Sequence, residues 1–149
     1  MDVFVDNDVV IKLAQYDLLD TLLDIAKEKG ISWVVLDSLY YVIGVENPTQ
    51  AAKLFPNGSI PRSIHKLLDA SKYASLESLQ ANILFASLNE PFLDAGELIL
   101  MICASEVEGS GIFTGDKRAL NATHKLVGDN KIDLSDCVFI SLECAIKIL

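Results

Sequence analysis

Acidic residues stand at three places in the sequence where a buried strand would end or a helix would begin. Asp6 follows the apolar segment 2–5, and Asp116 follows an apolar stretch closed by a glycine. Glu97 lies at the start of a long apolar helix. Because ligands in open parallel sheets bind at the carboxyl ends of the strands, these carboxylates are expected to converge at one edge.

Three converging carboxylates repel one another unless a cation lies between them. A donor set of oxygens without His or Cys favours Mg²⁺ or Mn²⁺ over Zn²⁺. A site of this kind typically activates water and steadies a phosphate during hydrolysis. The acids therefore predict a metal-dependent hydrolytic site.

The same acids also have a structural interpretation as helix caps. Aspartate is a common N-cap, so Asp6 or Asp8 could cap the first helix, and Asp116 the helix that follows it. Asp94 and Glu97 have the spacing of a capping box, in which each side chain accepts from the backbone N–H of the other residue. The two roles can coexist, and Asp94 is the alternative metal ligand to Glu97.

The hydrophobic pattern predicts the elements that position these acids. Four apolar segments predict strands: residues 2–5, 31–36, 112–114 and 138–140. Residues 46–91 show no strand signal and predict a helical insert. This order predicts one α/β domain over residues 1–149, a three-layer α/β/α fold with a mostly parallel central sheet of about four to five strands.

Three helices in the second half of the chain have predicted boundaries: Ser75 or Leu76 to Leu88, residues 94–108, and residues 142–149. The Asn-Glu-Pro sequence at 89–91 is predicted to end the first of these helices. The glycines after residue 108 are predicted to end the second.

Three stretches carry the acids: Val5-Asp6-Asn7-Asp8-Val9-Val10-Ile11, Asp94-Ala95-Gly96-Glu97-Leu98-Ile99 and Phe113-Thr114-Gly115-Asp116-Lys117-Arg118-Ala119. In residue types, order and spacing they resemble the three motif regions of PIN domains, which are metal-dependent nucleases that include the VapC-type toxins. The resemblance extends over essentially the whole chain. The Thr-Gly-Asp-Lys stretch and the Gly-Glu helix start are its most specific parts.

The resemblance implies a ribonuclease with Mg²⁺ or Mn²⁺ held by Asp6, Glu97 and Asp116. It implies that Asp8 orients water or the metal, and that Thr114 supplies a hydroxyl before the last aspartate. It further implies an RNA substrate and a protein partner, the antitoxin of a toxin–antitoxin pair.

The sequence departs from the family at one position. PIN domains usually carry a further acid on the helix after the second strand, where this chain has Ser38-Leu39-Tyr40-Tyr41-Val42-Ile43. Glu46 lies just beyond, and reaches the site only if the end of that helix is distorted. The missing acid leaves a second interpretation open, in which the chain is a catalytically degenerate PIN-like module that binds or regulates a partner.

Basic residues near these stretches are candidates for holding a phosphate backbone. Arg62 and Lys66 share one face of a predicted helix in the insert, together with His65. Lys117 directly follows Asp116. A solvated surface is the alternative interpretation for Arg62, Lys66 and Lys117.

Composition limits the classes of partner. The formal net charge of −9 and the pI near 4.5 argue against a general electrostatic grip on nucleic acid. Mean hydropathy is +0.36, yet the longest apolar run, residues 98–104, is far shorter than the ~20 residues of a membrane-spanning helix. The N-terminal residues show no signal-peptide pattern. We expect a cytoplasmic protein without membrane contact, and the apolar excess permits a homodimer.

A phosphatase of the haloacid dehalogenase type is the third interpretation. Asp6-Asn7-Asp8 after an apolar strand imitates the nucleophile motif of that family, and Gly115-Asp116 imitates its late acidic motif. That motif needs a second acid a few residues later, where Leu120 and Asn121 stand. The glycine-rich turn expected after Asp8 is also missing, so this interpretation ranks below the other two.

Overall fold

The computed structural model describes residues 1–88 and 90–148. The elements in chain order are β1 Asp2–Val5, α1 Asn7–Gln15, α2 Leu19–Glu28, β2 Ser32–Leu36, α3 Ser38–Ile43, α4 Pro48–Leu54, a 3₁₀ turn Pro56–Gly58, α5 Arg62–Ala70, β3 Lys72–Ala74, α6 Leu79–Ser87, α7 Ala95–Ser105, β4 Gly111–Thr114, α8 Lys117–Gly128, β5 Val138–Ser141 and α9 Leu142–Ile148.

The strands form one sheet in the order β3-β2-β1-β4-β5, and every neighbouring pair is parallel. Helices cover both faces of this sheet. The predicted fold class, a three-layer α/β/α arrangement around a parallel sheet of four to five strands, is confirmed.

Alternation along the strands divides the buried side chains into two clusters. Val3 and Val5 of β1 pack with α1, α2, α3, α5 and α9, whereas Phe4 between them packs with α6, α7 and α8 on the opposite face. Successive side chains of a strand point to opposite faces, so a strand buried on both sides reads as a continuous apolar run. This accounts for the unbroken apolar segments of the sequence.

The prediction of no strand within residues 46–91 was wrong. β3, Lys72–Ala74, lies inside this segment and pairs with β2 in parallel register, Val34 opposite Lys72 and Leu36 opposite Ala74. The strand has three residues, and two of them are exposed, so it lacks the apolar run that marks the other strands. Pairing with β2 makes this segment a strand, and the pattern of its own side chains does not predict one.

Two predicted helices are shorter in the structure than in the sequence pattern. α6 begins at Leu79 because Ser78 caps it, accepting a hydrogen bond from the backbone N–H of Ala81 at 2.9 Å. α7 ends at Ser105, three residues before the predicted end. The predicted helix stop at Asn89 and the last predicted helical residue, Leu149, lie outside the described residues. No helix in the described part of the chain is long and apolar enough to cross a membrane.

The chain reverses its direction of travel across the sheet between β1 and β4. From β1 it proceeds through α1 and α2 to β2, whereas from β4 it proceeds through α8 to β5 on the other side. Crevices at such switch points, outside the carboxyl ends of the strands, are where open α/β sheets bind ligands. The loops that follow β1 and β4 are therefore the first place to look for a site.

Gly44 ends α3 in the left-handed region, with φ +80, and is tightly enclosed. A Cβ on it would lie 2.8 Å from the backbone N of Ala51 and from the carbonyl O of Asn47. Gly109 has φ +65, but among the described residues other than its two chain neighbours no heavy atom lies within 4 Å of the position that a Cβ on it would take. The two glycines thus share the conformational requirement and differ in the space around them.

We expect Gly44→Ala to lower the free energy of unfolding by about 3 kcal/mol, because a left-handed residue costs ~1–2 kcal/mol and the clash adds to it. Gly109→Ala is the matched control and should lose only about 1 kcal/mol. Urea unfolding followed by circular dichroism measures both. Equal losses would show that the α3–α4 turn relaxes around the added methyl group.

Candidate functional site

The loops at the carboxyl edge of the sheet enclose a cavity of about 690 Å³. Five acidic residues line it: Asp6, Asp8, Asp94, Glu97 and Asp116. They come from the segments after β1 and β4 and from the start of α7. The predicted convergence of Asp6, Glu97 and Asp116 is therefore present, with Asp8 and Asp94 beside them.

Asp6 is fixed by the junction of β1 and β4. Its backbone N–H donates to the carbonyl of Phe113 at 3.0 Å, which extends the parallel pairing of the two strands by one residue. Its own carbonyl accepts from the N–H groups of Val9 and Val10, so α1 starts immediately behind it. Asp6 is thus the N-cap residue of α1 by position, but its side chain makes no capping hydrogen bond to the described residues, and Asp8 stands in the first turn.

Glu97 is brought to the cavity by a close approach of α7 to β2. A Cβ on Gly96 would lie 2.8 Å from Cδ1 of Leu36, so glycine permits the start of α7 to rest on the end of β2. The predicted capping box is confirmed: the N–H of Glu97 donates to Oδ1 of Asp94 at 2.8 Å, and the N–H of Asp94 donates to Oε2 of Glu97 at 3.0 Å. Glu97 is 9% exposed.

Asp116 caps α8, which agrees with the structural interpretation of this residue in the sequence analysis. Its Oδ1 accepts from the backbone N–H of Arg118 at 2.7 Å, and Nη2 of Arg118 lies 3.2 Å from its Oδ2. The N–H of Asp116 donates to Oγ1 of Thr114 at 3.2 Å. Thr114 is buried and shapes the turn before Asp116; it is not among the cavity-lining residues.

Burial and mutual repulsion disfavour the charged forms of two of these acids. Burial, followed by the charges of Asp8 and Asp94, raises the pKa of Asp6 to about 6. Burial is also the largest cause that raises the pKa of Glu97 to about 7, and the charges of Asp94, Asp6 and Asp116 add to it. Side-chain hydrogen bonds from Arg118 lower the pKa of Asp116 below its ordinary value.

The helix after β2, α3, presents Ser38 and Val42 to the cavity and no acid. Nδ2 of Asn7 donates to Oγ of Ser38 at 3.2 Å, while Oδ1 of Asn7 is buried without a hydrogen-bond partner in the described part of the chain. Glu46 does not line the cavity; its interaction with the hydroxyl of Tyr40 raises the pKa of that tyrosine. The structure thus does not bring Glu46 into the acid cluster.

The donor chemistry of the cavity fits a hard divalent cation. The polar lining includes carboxylates and a serine hydroxyl, which are ligands that Mg²⁺ and Mn²⁺ prefer, together with the guanidinium of Arg118. Over residues 1–88 and 90–148, however, no group of three or more His, Cys, Asp or Glu is closely enough arranged to hold a metal ion. Glu97 is turned to the N–H of Asp94, and Asp116 to Arg118, so ligation requires these two side chains to reorient.

The candidate substrate-binding residues lie away from this cavity. Nζ of Lys66 pairs with Asp20 at 2.6 Å, Nζ of Lys117 lies 3.6 Å from Glu143, and Arg62 does not line the cavity. The cation at the cavity is instead Arg118. Lys117 and Arg118 are neighbours in sequence, but about 100° of rotation per helical residue turns one side chain away and the other inward.

These features define an all-parallel α/β protein with an acid-lined cavity at its topological switch point. Comparison with protein-family models, with curated proteins and with solved structures found no match to this chain.

Replacing Asp6 with asparagine should stabilise the protein at high pH. An acid whose pKa is higher in the folded than in the unfolded chain contributes stability below its unfolded pKa, and loses it as the pH rises through the folded value. For Asp6 this loss falls between about pH 4 and pH 6–7. Asp6→Asn, which stays neutral, should therefore exceed the wild type by about 1–3 kcal/mol at pH 8 and match it near pH 4.

Urea unfolding at both pH values, in the presence of a chelator, measures this difference. The exposed Asp69 of α5 provides the matched control, and Asp69→Asn should change stability by less than about 0.5 kcal/mol at either pH. A destabilised Asp6→Asn at pH 8 would show that the carboxylate is stabilised by its surroundings.

Removing the side chain of Arg118 should raise the pKa of Asp116 toward the ordinary aspartate value, because the side-chain hydrogen bonds are the largest cause of its lowering. The backbone N–H of residue 118 remains in Arg118→Ala, so part of the lowering should persist. Carboxyl-carbon NMR titration of Asp116 measures the change. Lys117→Ala, the neighbouring cation, should leave the titration where it is.

Proposed function

We propose that this chain is a Mg²⁺- or Mn²⁺-dependent ribonuclease of PIN type, which hydrolyses RNA phosphodiester bonds in the cytoplasm as the toxin of a toxin–antitoxin pair. The observation that carries the proposal is the convergence of five carboxylates on one cavity at the switch point, with burial and repulsion raising the pKa of Asp6 and Glu97. A site that concentrates negative charge at a cost to stability is typical of cation binding.

In this proposal Asp6, Glu97 and Asp116 hold the cation, with Asp94 as the alternative to Glu97. The bound cation would supply the positive charge that polarises a water molecule and the scissile phosphate. Asp8 is exposed at the cavity and pairs with Lys12 at 3.5 Å, which leaves its second oxygen available to orient that water. Thr114 holds the turn that carries Asp116.

A catalytically degenerate PIN-like binding module is the second candidate function. Two observations favour it: Ser38 and Val42 stand where the family carries a further acid, and Arg118 lies against Asp116. Exposed apolar side chains on α6, Leu79 and Ile83, support a protein partner in either case, whether an antitoxin or a second copy in a homodimer.

Calorimetry with Mn²⁺ at low ionic strength, together with cleavage of a single-stranded RNA, tests the first function against the second. We expect Mn²⁺ binding to the wild type and its loss in Asp6→Asn, Glu97→Gln and Asp116→Asn, with cleavage reduced at least about 100-fold in each variant. Asp69→Asn, an exposed aspartate on α5, should behave as the wild type.

The other possible results of these two assays distinguish the candidate functions. Mn²⁺ binding without RNA cleavage would favour the binding module, since the site would hold its cation and lack catalysis. No Mn²⁺ binding by the wild type would overturn the nuclease proposal.

A further inference from the structure

A second cavity, of about 310 Å³, adjoins the acidic one. It is lined by Glu90, Phe92, Arg118, Asn121, Ala122 and Lys125. Phe92 and Arg118 line both cavities, so the second cavity lies directly beside the carboxylates, and its other lining includes residues of α8. A volume near 300 Å³ lies at the lower end of the range for small-ligand sites.

One stripe of α8 forms the polar wall of this second cavity. Arg118, Asn121 and Lys125 are spaced at i, i+3 and i+7, which places them on the same side of the helix. Nζ of Lys125 lies 3.2 Å from Oε2 of Glu90, whose side chain is 4% exposed. The buried carboxylate of Glu90 fixes the ammonium group of Lys125, which is itself largely exposed.

Phe92 is the aromatic residue of the lining. It is 61% exposed, and it lines both cavities. An exposed phenyl ring offers a face on which a flat ring can stack, and base–aromatic stacking of this kind tolerates every base. Its position beside two cations is the combination that single-stranded nucleic-acid sites use.

The charges around the second cavity favour a short contact over a long basic track. Arg118 pairs with Asp116, and Lys125 pairs with Glu90, on a chain whose net charge is −9. Long-range attraction of a polyanion is therefore weak, and a phosphate would be held only through direct hydrogen bonds from these cations. Asn121 lies between them, within the same stripe, where an amide can meet the edge of a base.

We propose that the second cavity binds the nucleotide next to the scissile phosphate of a single-stranded RNA, with its base stacked on Phe92 and its phosphate contacted by Arg118 and Lys125. This proposal rests on the ribonuclease function proposed above and adds the form of the substrate. A base must be unpaired to reach Phe92, so duplex RNA is excluded from this cavity.

Fluorescence anisotropy of a fluorescein-labelled single-stranded RNA of mixed sequence tests the proposal, in chelator so that no cleavage occurs. Phe92→Ala should weaken binding about tenfold, and Phe92→Tyr, which keeps the ring, should restore it to within about twofold. Tyr16→Ala removes another exposed aromatic residue, which lines neither cavity, and should bind as the wild type does. Lys125→Ala should reduce the slope of log affinity against log salt by about one.

A blunt-ended duplex RNA serves as the second probe, and its binding should not respond to Phe92→Ala. Loss of duplex binding equal to the loss of single-strand binding would overturn the proposal, as would equal single-strand binding by the wild type and Phe92→Ala. Because Phe92 is exposed, thermal unfolding of Phe92→Ala should match the wild type and exclude misfolding.

The cleavage assay separates failure of this proposal from failure of the ribonuclease proposal. A wild type that cleaves RNA but binds it independently of Phe92 would retain the nuclease function and overturn the nucleotide site. A wild type that binds RNA through Phe92 without cleaving it would support the nucleotide site on a chain that lacks catalysis.

Discussion

The hydrogen bond from the N–H of Asp6 to the carbonyl of Phe113 joins the ends of two strands that the sequence separates by more than a hundred residues. It continues the β1–β4 pairing at the carboxyl ends of the two strands. Asp6 and the turn that carries Asp116 are therefore held side by side, and their carboxylates face the same cavity. The proximity of Asp6 and Asp116 is a consequence of this parallel pairing, whereas Asp94 and Glu97 are placed by the packing of α7 on β2.

The fold partly offsets the repulsion that it creates. Several helices begin at the cavity, and α1, α7 and α8 start directly behind its acids Asp6, Asp94 and Asp116. The partial positive charge at the N-terminus of a helix stabilises nearby carboxylates, typically by about 0.3–1 kcal/mol each. For Asp6 and Glu97 this help is smaller than the effect of burial, since their pKa values remain raised. Asp116 is more exposed, and Arg118 lowers its pKa instead.

Much of the fold and of the acid cluster could be predicted because their signals are local. A strand buried on both faces is an unbroken apolar run, and a capping box is fixed by a spacing of three residues, so β1, β2 and the pair Asp94–Glu97 were visible in the sequence. β3 was not visible, because its pairing with β2 and not its own composition makes it a strand.

The same distinction explains the basic residues. Lys66 pairs with Asp20, which lies on a helix distant in the sequence, and the residue pattern of α5 does not predict this pairing. The side chains of Arg118 and Lys117 point in different directions. These directions depend on where α8 begins and on which residues lie beside it. The i, i+3, i+7 spacing of Arg118, Asn121 and Lys125 was a local signal that could have identified the wall of the second cavity.

The acidic chain and the proposed RNA substrate can be reconciled if the attraction between them is short-ranged. At physiological salt, charges more than about 8 Å apart are largely screened, so the net charge of −9 acts mainly on the rate of encounter. Once two molecules touch, binding depends on the groups within hydrogen-bonding and stacking distance. Around the two cavities these groups include two cations, an exposed phenyl ring and the carboxylates. A protein built this way would select a strand by the access of its bases, because it has little general affinity with which to hold a duplex.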